Sequence, residues 1–219
     1  MPYIENRIVH DADSHTMELP NWFDDYADEK IKKAFKKRFE GNKGLAQTYF
    51  KNIDKNHREE SYQEKNDEEL MIRKNYDALG SFDKYDRSKA LDLLGVKSQL
   101  VFPTSPNVWL ESLEHGDDIE MLYAVARATN RAQIDFCSND YRLLPVTYIP
   151  LADIDKSIDI AQEAIKAGSN ALLVPWACPK NHSTSHIGFD PIWSMAEESG
   201  IPILFHVGSA DFVLPKSHS

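Results

Sequence analysis

His10-Asp11-Ala12-Asp13-Ser14-His15 closes an N-terminal apolar run, Tyr3-Ile4 then Ile8-Val9, and sets a carboxylate and an imidazole two residues apart. The run reads as a first strand over residues 3–15, with Ile8 and Val9 supplying its buried bulk. On an extended strand, residues i and i+2 point to the same side, so Asp13 and His15 converge. A second strand-like run far down the chain, Ile201-Pro202-Ile203-Leu204-Phe205, ends in His206-Val207-Gly208. Asp13, His15 and His206 at the carboxyl ends of two strands make a partial divalent-metal site, because carboxylate oxygen and imidazole nitrogen suit such an ion. The rival reading is that these groups merely satisfy one another.

The sequence between the two runs alternates strand and helix patterns. Ser88 caps a short helix through Leu94, with Gly95 as its stop. Val96–Phe102 is a second strand, halted by Pro103, and Thr104-Ser105-Pro106-Asn107-Val108-Trp109 is a loop at its carboxyl end. A long helix over 117–138 has Ile119, Leu122, Ala126, Thr129 and Gln133 on one side and acids at its N-terminus, where the dipole favours them. Arg142–Ile149 is a third strand. Ile154, Ile158, Ala161 and Ile165 stripe the next helix, which Gly168 ends. Asn170–Val174 is short and almost wholly apolar, as strands buried on both faces are. A loop over 175–190 follows, and Asp190-Pro191 open a helix to Ser199 as N-cap and first residue, with Gly200 as its stop. The fifth strand ends at His206.

Such alternation means βαβ units and a parallel sheet. No Gly-rich turn follows any strand, so neither the dinucleotide fingerprint nor the phosphate loop is present. Polar residues instead stand at the ends of several strands, as in a (β/α)8 TIM barrel, whose sites gather at the C-terminal face. The fold class is therefore α/β of that barrel type, in one domain over 1–219.

The exception to the regular pattern is a charged section at about 24–87. Ile31, Phe35 and Phe39 give a helix near its start one apolar face under a basic exterior. Residues 41–86 are poor in aliphatics and punctuated by aromatics. An insertion of this kind after a first strand is where an active-site lid arises.

Composition excludes several functions. With a net charge of −10, the chain lacks the basic field that nucleic acid binding needs. No apolar run reaches the roughly 20 residues of a membrane span, and no signal peptide opens the sequence. The two cysteines, Cys137 and Cys178, form neither a disulfide framework nor a metal-type spacing, as expected of reduced thiols in a cytoplasmic protein.

Several stretches together resemble the amidohydrolase-related metal-dependent hydrolases, in the branch that holds aminocarboxymuconate-semialdehyde decarboxylase and its aromatic-acid relatives. They are Asp11-Ala12-Asp13-Ser14-His15, Leu91-Asp92-Leu93-Leu94-Gly95-Val96, Gln99-Leu100-Val101-Phe102-Pro103-Thr104, Phe189-Asp190-Pro191-Ile192-Trp193, and Gly200-Ile201-Pro202 through Phe205-His206-Val207-Gly208. The resemblance implies metal ligands at Asp13 and His15, where the family carries His-x-His or an acid in place of the first His, and at His206. It implies zinc, or else manganese, and a small aromatic or cyclic carboxylate or amide as substrate for hydrolysis or decarboxylation. A homodimer is also implied. The family's proton-transfer His after a sixth strand and its metal-binding Asp after an eighth lie beyond Ser219. The expectation is a fragment holding the first five βα units. Completion of the sheet by another chain and an inactive partial barrel are the alternatives.

Around this site, Trp109 and Trp176, just after strands two and four, are placed to sandwich a ring, and His186 to line the pocket. The rival for each is ordinary core or loop packing. Asp11 shares a side with Asp13 and is a candidate support for the ligands. His10 points away, and His182 reads as structural. Cys178 beside His182 or His186 has no oxyanion-hole signal, so no thiol nucleophile is assigned.

Overall fold

A computed structural model describes residues 2–40 and 45–206. In chain order the elements are β1 (His10–His15), α1 (Glu29–Glu40), α2 (Leu45–His57), α3 (Glu60–Gln63), α4 (Asn66–Glu69), α5 (Lys84–Leu94), β2 (Ser98–Phe102), α6 (Ser105–Glu114), α7 (Ile119–Cys137), β3 (Leu143–Tyr148), α8 (Ile154–Lys166), β4 (Ala171–Val174), α9 (Asp190–Ser199) and β5 (Ile203–Phe205). The strands form one five-stranded sheet in the order β1-β2-β3-β4-β5, and every pairing is parallel. Each strand lies beside its successor, so the winding never reverses. An open doubly wound sheet would reverse at a switch point, and steady progression is the path of a barrel. The molecule is an α/β half-barrel with flanking helices.

Hydrophobic burial against the helices holds the curve. Val146, Leu172, Leu173 and Val174 from the sheet meet Leu122, Val125 and Ala126 of α7 and Ile160, Ala161 and Ala164 of α8 in one core cluster. Thr129 and Gln133 do lie on the buried side of α7, yet they are polar. Gln133 Nε2 donates to the Val101 carbonyl at 2.7 Å, and Asn130 bonds both the amide (2.8 Å) and the carbonyl (2.9 Å) of Tyr148. Polar side chains are tolerated in this core because they engage strand backbone that would otherwise lack partners.

The first strand is shorter than the apolar run suggests. Only His10–His15 pair with β2; Tyr3 and Ile4 instead donate their amides to the Leu93 and Leu94 carbonyls at the end of α5. Ile8 is 73% exposed and supplies no buried bulk. Gly95 is required at this crossing: its φ is +80°, and a Cβ there would stand 2.6 Å from the Ile4 carbonyl oxygen. Helix α5 starts four residues before Ser88, because Asp83 accepts from the Tyr85 (2.8 Å) and Asp86 (3.0 Å) amides. In α9, Phe189 takes the N-cap position and Asp190 is already helical, with no side-chain cap.

Residues 104–109 are not a loop: Ser105 opens α6, with Pro106 in its first turn. The cap comes from Glu18, whose Oε1 and Oε2 accept from the Thr104 (2.9 Å) and Ser105 (2.8 Å) amides. A partner so remote in sequence leaves no local signature of the helix start. The charged section begins as part of the barrel wall, since α1 buries Ile31 and Phe35 in the main core and Phe35 meets Phe23 at 4.3 Å between ring centroids. Further along it reaches the carboxyl end of β1, where Tyr76 Oη donates to the Glu18 carbonyl (3.1 Å) and Met17 N to the Ser81 carbonyl (2.7 Å).

Candidate metal centre

Asp13 and His15 stand at the end of β1, and His206 follows β5 directly. The pairing register of β1 with β2 shifts between Asp11 and Ser14, an irregularity that re-aims the side chains at this tip. One ligand-type atom from each of Asp13, His15 and His206 lies within 4.8 Å of the others. Asp13 Oδ1 is 3.1 Å from His15 Nε2 and 3.0 Å from His206 Nε2. The half-barrel thus curves far enough to bring its first and last strand tips together. Phe102, at the end of β2, packs against both imidazoles, with ring centroids 5.5 Å from His15 and 4.9 Å from His206.

The three groups differ in their surroundings. Burial would raise the Asp13 carboxyl, but the hydrogen bond from His206 and the neighbouring imidazoles outweigh it and hold the group below its ordinary value. Burial lowers His15, against the opposing pull of Asp13. An ionised carboxylate beside an imidazole held in its neutral form is the state a divalent ion requires of such ligands.

Supports for the site come from residues that the sequence pattern does not single out. Thr104 Oγ1 is 3.1 Å from His15 Nδ1 and donates to the Thr16 carbonyl at 2.6 Å. Glu18 is wholly buried, so desolvation raises its carboxyl, opposed by bonds from Thr104, Thr16 and Ser105. Arg87 Nη2 donates to the His15 carbonyl, and burial pushes the guanidinium down to about 10. Gly80, with φ +71°, lies against the Arg87 backbone, where a Cβ would approach its Cα to 2.3 Å. Glu111 on α6 is half-buried; burial raises its carboxyl, and the Trp176 indole, His206 and His115 oppose the rise. The one sequence signal for this group is the position of Thr104, two residues past the end of β2.

The remaining candidates divide. Asp11 accepts from the Asp13 amide (3.1 Å) and from Gln99 Nε2 (3.0 Å), so it touches the backbone of Asp13. Trp176 is half-buried two residues past the end of β4, near enough to Glu111 to oppose the rise of its carboxyl. Trp109 rides on α6 and packs on Phe35 with centroids 5.9 Å apart, against the core. His186 is exposed; its Nδ1 accepts from the Gly188 amide (3.1 Å), and its ring meets His182 at 5.1 Å. These contacts keep it within its own loop. His10 bonds Ser98 Oγ at 2.7 Å, outside the cluster. The Cys137 thiol is buried and pushed up to about 12.

No protein-family model matches the sequence, and no curated protein matches it either. Solved structures do share its fold. An amidohydrolase of Mycobacterium avium subsp. paratuberculosis K-10 superposes with a TM-score of 0.64 at 17% identity, over 94% of this chain and 60% of its own. A 5-carboxyvanillate decarboxylase of Novosphingobium aromaticivorans DSM 12444, a mutant with bound manganese and 3-methoxy-4-hydroxy-5-nitrobenzoic acid, superposes with a TM-score of 0.50 at 15% identity. That match covers 91% of this chain and 49% of the decarboxylase. The present chain therefore spans about half to three-fifths of the structures it resembles. Among its described residues no helix is long and apolar enough to cross a membrane.

Proposed function

We propose that this chain carries the strand-one and strand-five ligands of a divalent-metal-dependent enzyme of the amidohydrolase type. The observation that carries this reading is the convergence of one carboxylate and two imidazoles, from strands almost two hundred residues apart, to within 4.8 Å. The donor set fits zinc or manganese, which accept mixed oxygen and nitrogen ligands. A likeness in fold to an amidohydrolase and to a manganese-containing decarboxylase supports the same assignment.

Asp13, His15 and His206 would hold the ion, which when bound supplies Lewis acidity toward an oxygen of the substrate or of water. Phe102 keeps solvent from one side of both imidazoles and fixes their ring planes. Trp176 offers a flat, half-buried surface to an aromatic or cyclic substrate, and Glu111 sets a titratable carboxyl beside it. A small carboxylate or amide is the substrate class, for decarboxylation or hydrolysis. The charged section reaches the carboxyl end of β1 through Tyr76 and Ser81 and would cover the site.

Metal analysis tests this. The purified chain loaded with zinc or manganese and then desalted should retain about one equivalent, and the His206→Ala variant should retain none. A second reading has its own observation: Asp13 Oδ1 already lies at hydrogen-bonding distance from both imidazoles, as in a self-satisfied polar cluster. A chain that binds neither metal, and whose stability a chelator leaves unchanged, would establish that alternative.

A further inference from the structure

We infer that Thr104, itself held by Glu18, is a positioning residue that fixes the tautomer of His15, so that Nδ1 keeps its proton and Nε2 turns a lone pair toward Asp13. The inference rests on the metal-centre reading and specifies how this chain prepares one ligand.

A hydroxyl has one hydrogen to give and two lone pairs with which to accept. Thr104 Oγ1 lies 2.6 Å from the Thr16 carbonyl oxygen, which can only accept, so the hydroxyl hydrogen is spent there. Its contact with His15 Nδ1 at 3.1 Å must then run the other way, with the imidazole donating. Nε2 is left as the metal-facing nitrogen, 3.1 Å from Asp13 Oδ1. A lone pair on each of these atoms is an arrangement that a bound divalent cation would favour, with His15 Nε2 and the Asp13 carboxylate as the residues that would hold it. Ligating histidines are commonly oriented by such a partner on the other ring nitrogen.

Glu18 fixes the backbone from which the Thr104 hydroxyl projects. It is fully buried, and its Oε1 accepts from Thr104 N at 2.9 Å and from Thr16 Oγ1 at 2.7 Å. Its Oε2 accepts from Ser105 N at 2.8 Å. One carboxylate thus ties Thr16, directly after β1, to Thr104, two residues past β2, and caps α6. A cap alone would need the two amides. It would not need the Thr104 hydroxyl aimed at a candidate ligand.

The test compares zinc affinity, by competition with a chromophoric chelator, in the full chain and its Thr104→Val and Thr104→Ser variants. Valine keeps the shape and removes the acceptor; serine restores it. The expected result is a 10- to 100-fold loss for valine, on the order found for such outer partners, with serine near the parent. In parallel, histidine-selective nitrogen NMR of the zinc-loaded parent should show His15 bound through Nε2 with a slowly exchanging Nδ1 proton. Equal affinity in the valine variant would overturn the inference and leave the metal centre standing. A parent that binds zinc with His15 protonated at Nε2 would overturn it too, even if the valine variant fails to fold. A parent that binds no zinc or manganese would remove the metal centre itself, and this role for Thr104 with it.

Discussion

Glu114 shows how strongly one residue can bias this fold. Its Oε1 accepts from the Leu151 amide at 2.7 Å, while Oε2 is buried without a partner. Burial pushes the carboxyl up from 4.5 to about 8. The folded chain therefore holds a proton that the unfolded chain releases above the lower value, and stability falls as pH rises between the two. At neutral pH the cost is on the order of 3 kcal/mol. Glu114→Gln keeps the acceptor for Leu151 and removes the titration. It should leave stability near pH 5 almost unchanged and raise it by about 1–3 kcal/mol near pH 8, as read from urea midpoints at the two pH values. A variant whose pH slope matches the parent's would show that Glu114 is not the group responsible.

At the level of elements, α1 tests whether the charged section is a detached cover or part of the wall. Phe35 is fully buried between Phe23, Phe39 and Trp109. Phe35→Ala should destabilise the whole molecule by about 3–5 kcal/mol in one cooperative transition. A loss below about 1 kcal/mol, or a separate early transition, would mark the section as an independent unit. The Ile31-Phe35-Phe39 spacing revealed this helix because four-residue periodicity is a local property. Helix α6 has no such local signal: its cap is Glu18, which is remote in the sequence and comes near only through the pairing of β1 with β2. The exposure of Ile8 is invisible to hydrophobicity alone, which does not show whether a neighbouring strand covers the residue. The convergence of Asp13, His15 and His206 is legible in the sequence, since strand ends follow from alternation and a barrel gathers its C-terminal strand tips at one face. Thr104, Glu18 and Arg87 are not, because their roles depend on contacts across the fold.

For the molecule as a whole, the sheet order β1 to β5 without reversal is what brings the distant tips together. An ion shared by the two outermost strands would tie the curved sheet at both sides, and binding to the folded state alone would stabilise it. At a hundredfold excess over the dissociation constant the gain is about 2.7 kcal/mol. Zinc should therefore raise the unfolding midpoint of the parent, a chelator should reverse the rise, and His206→Ala should respond to neither.

The most direct measurement is anomalous diffraction at the zinc edge from crystals of the chain grown with zinc. One strong peak is expected about 2.0–2.2 Å from an Asp13 carboxylate oxygen, His15 Nε2 and His206 Nε2. An empty cluster under zinc saturation, or a peak held by other residues while these three remain bonded to one another, would contradict the metal-centre reading.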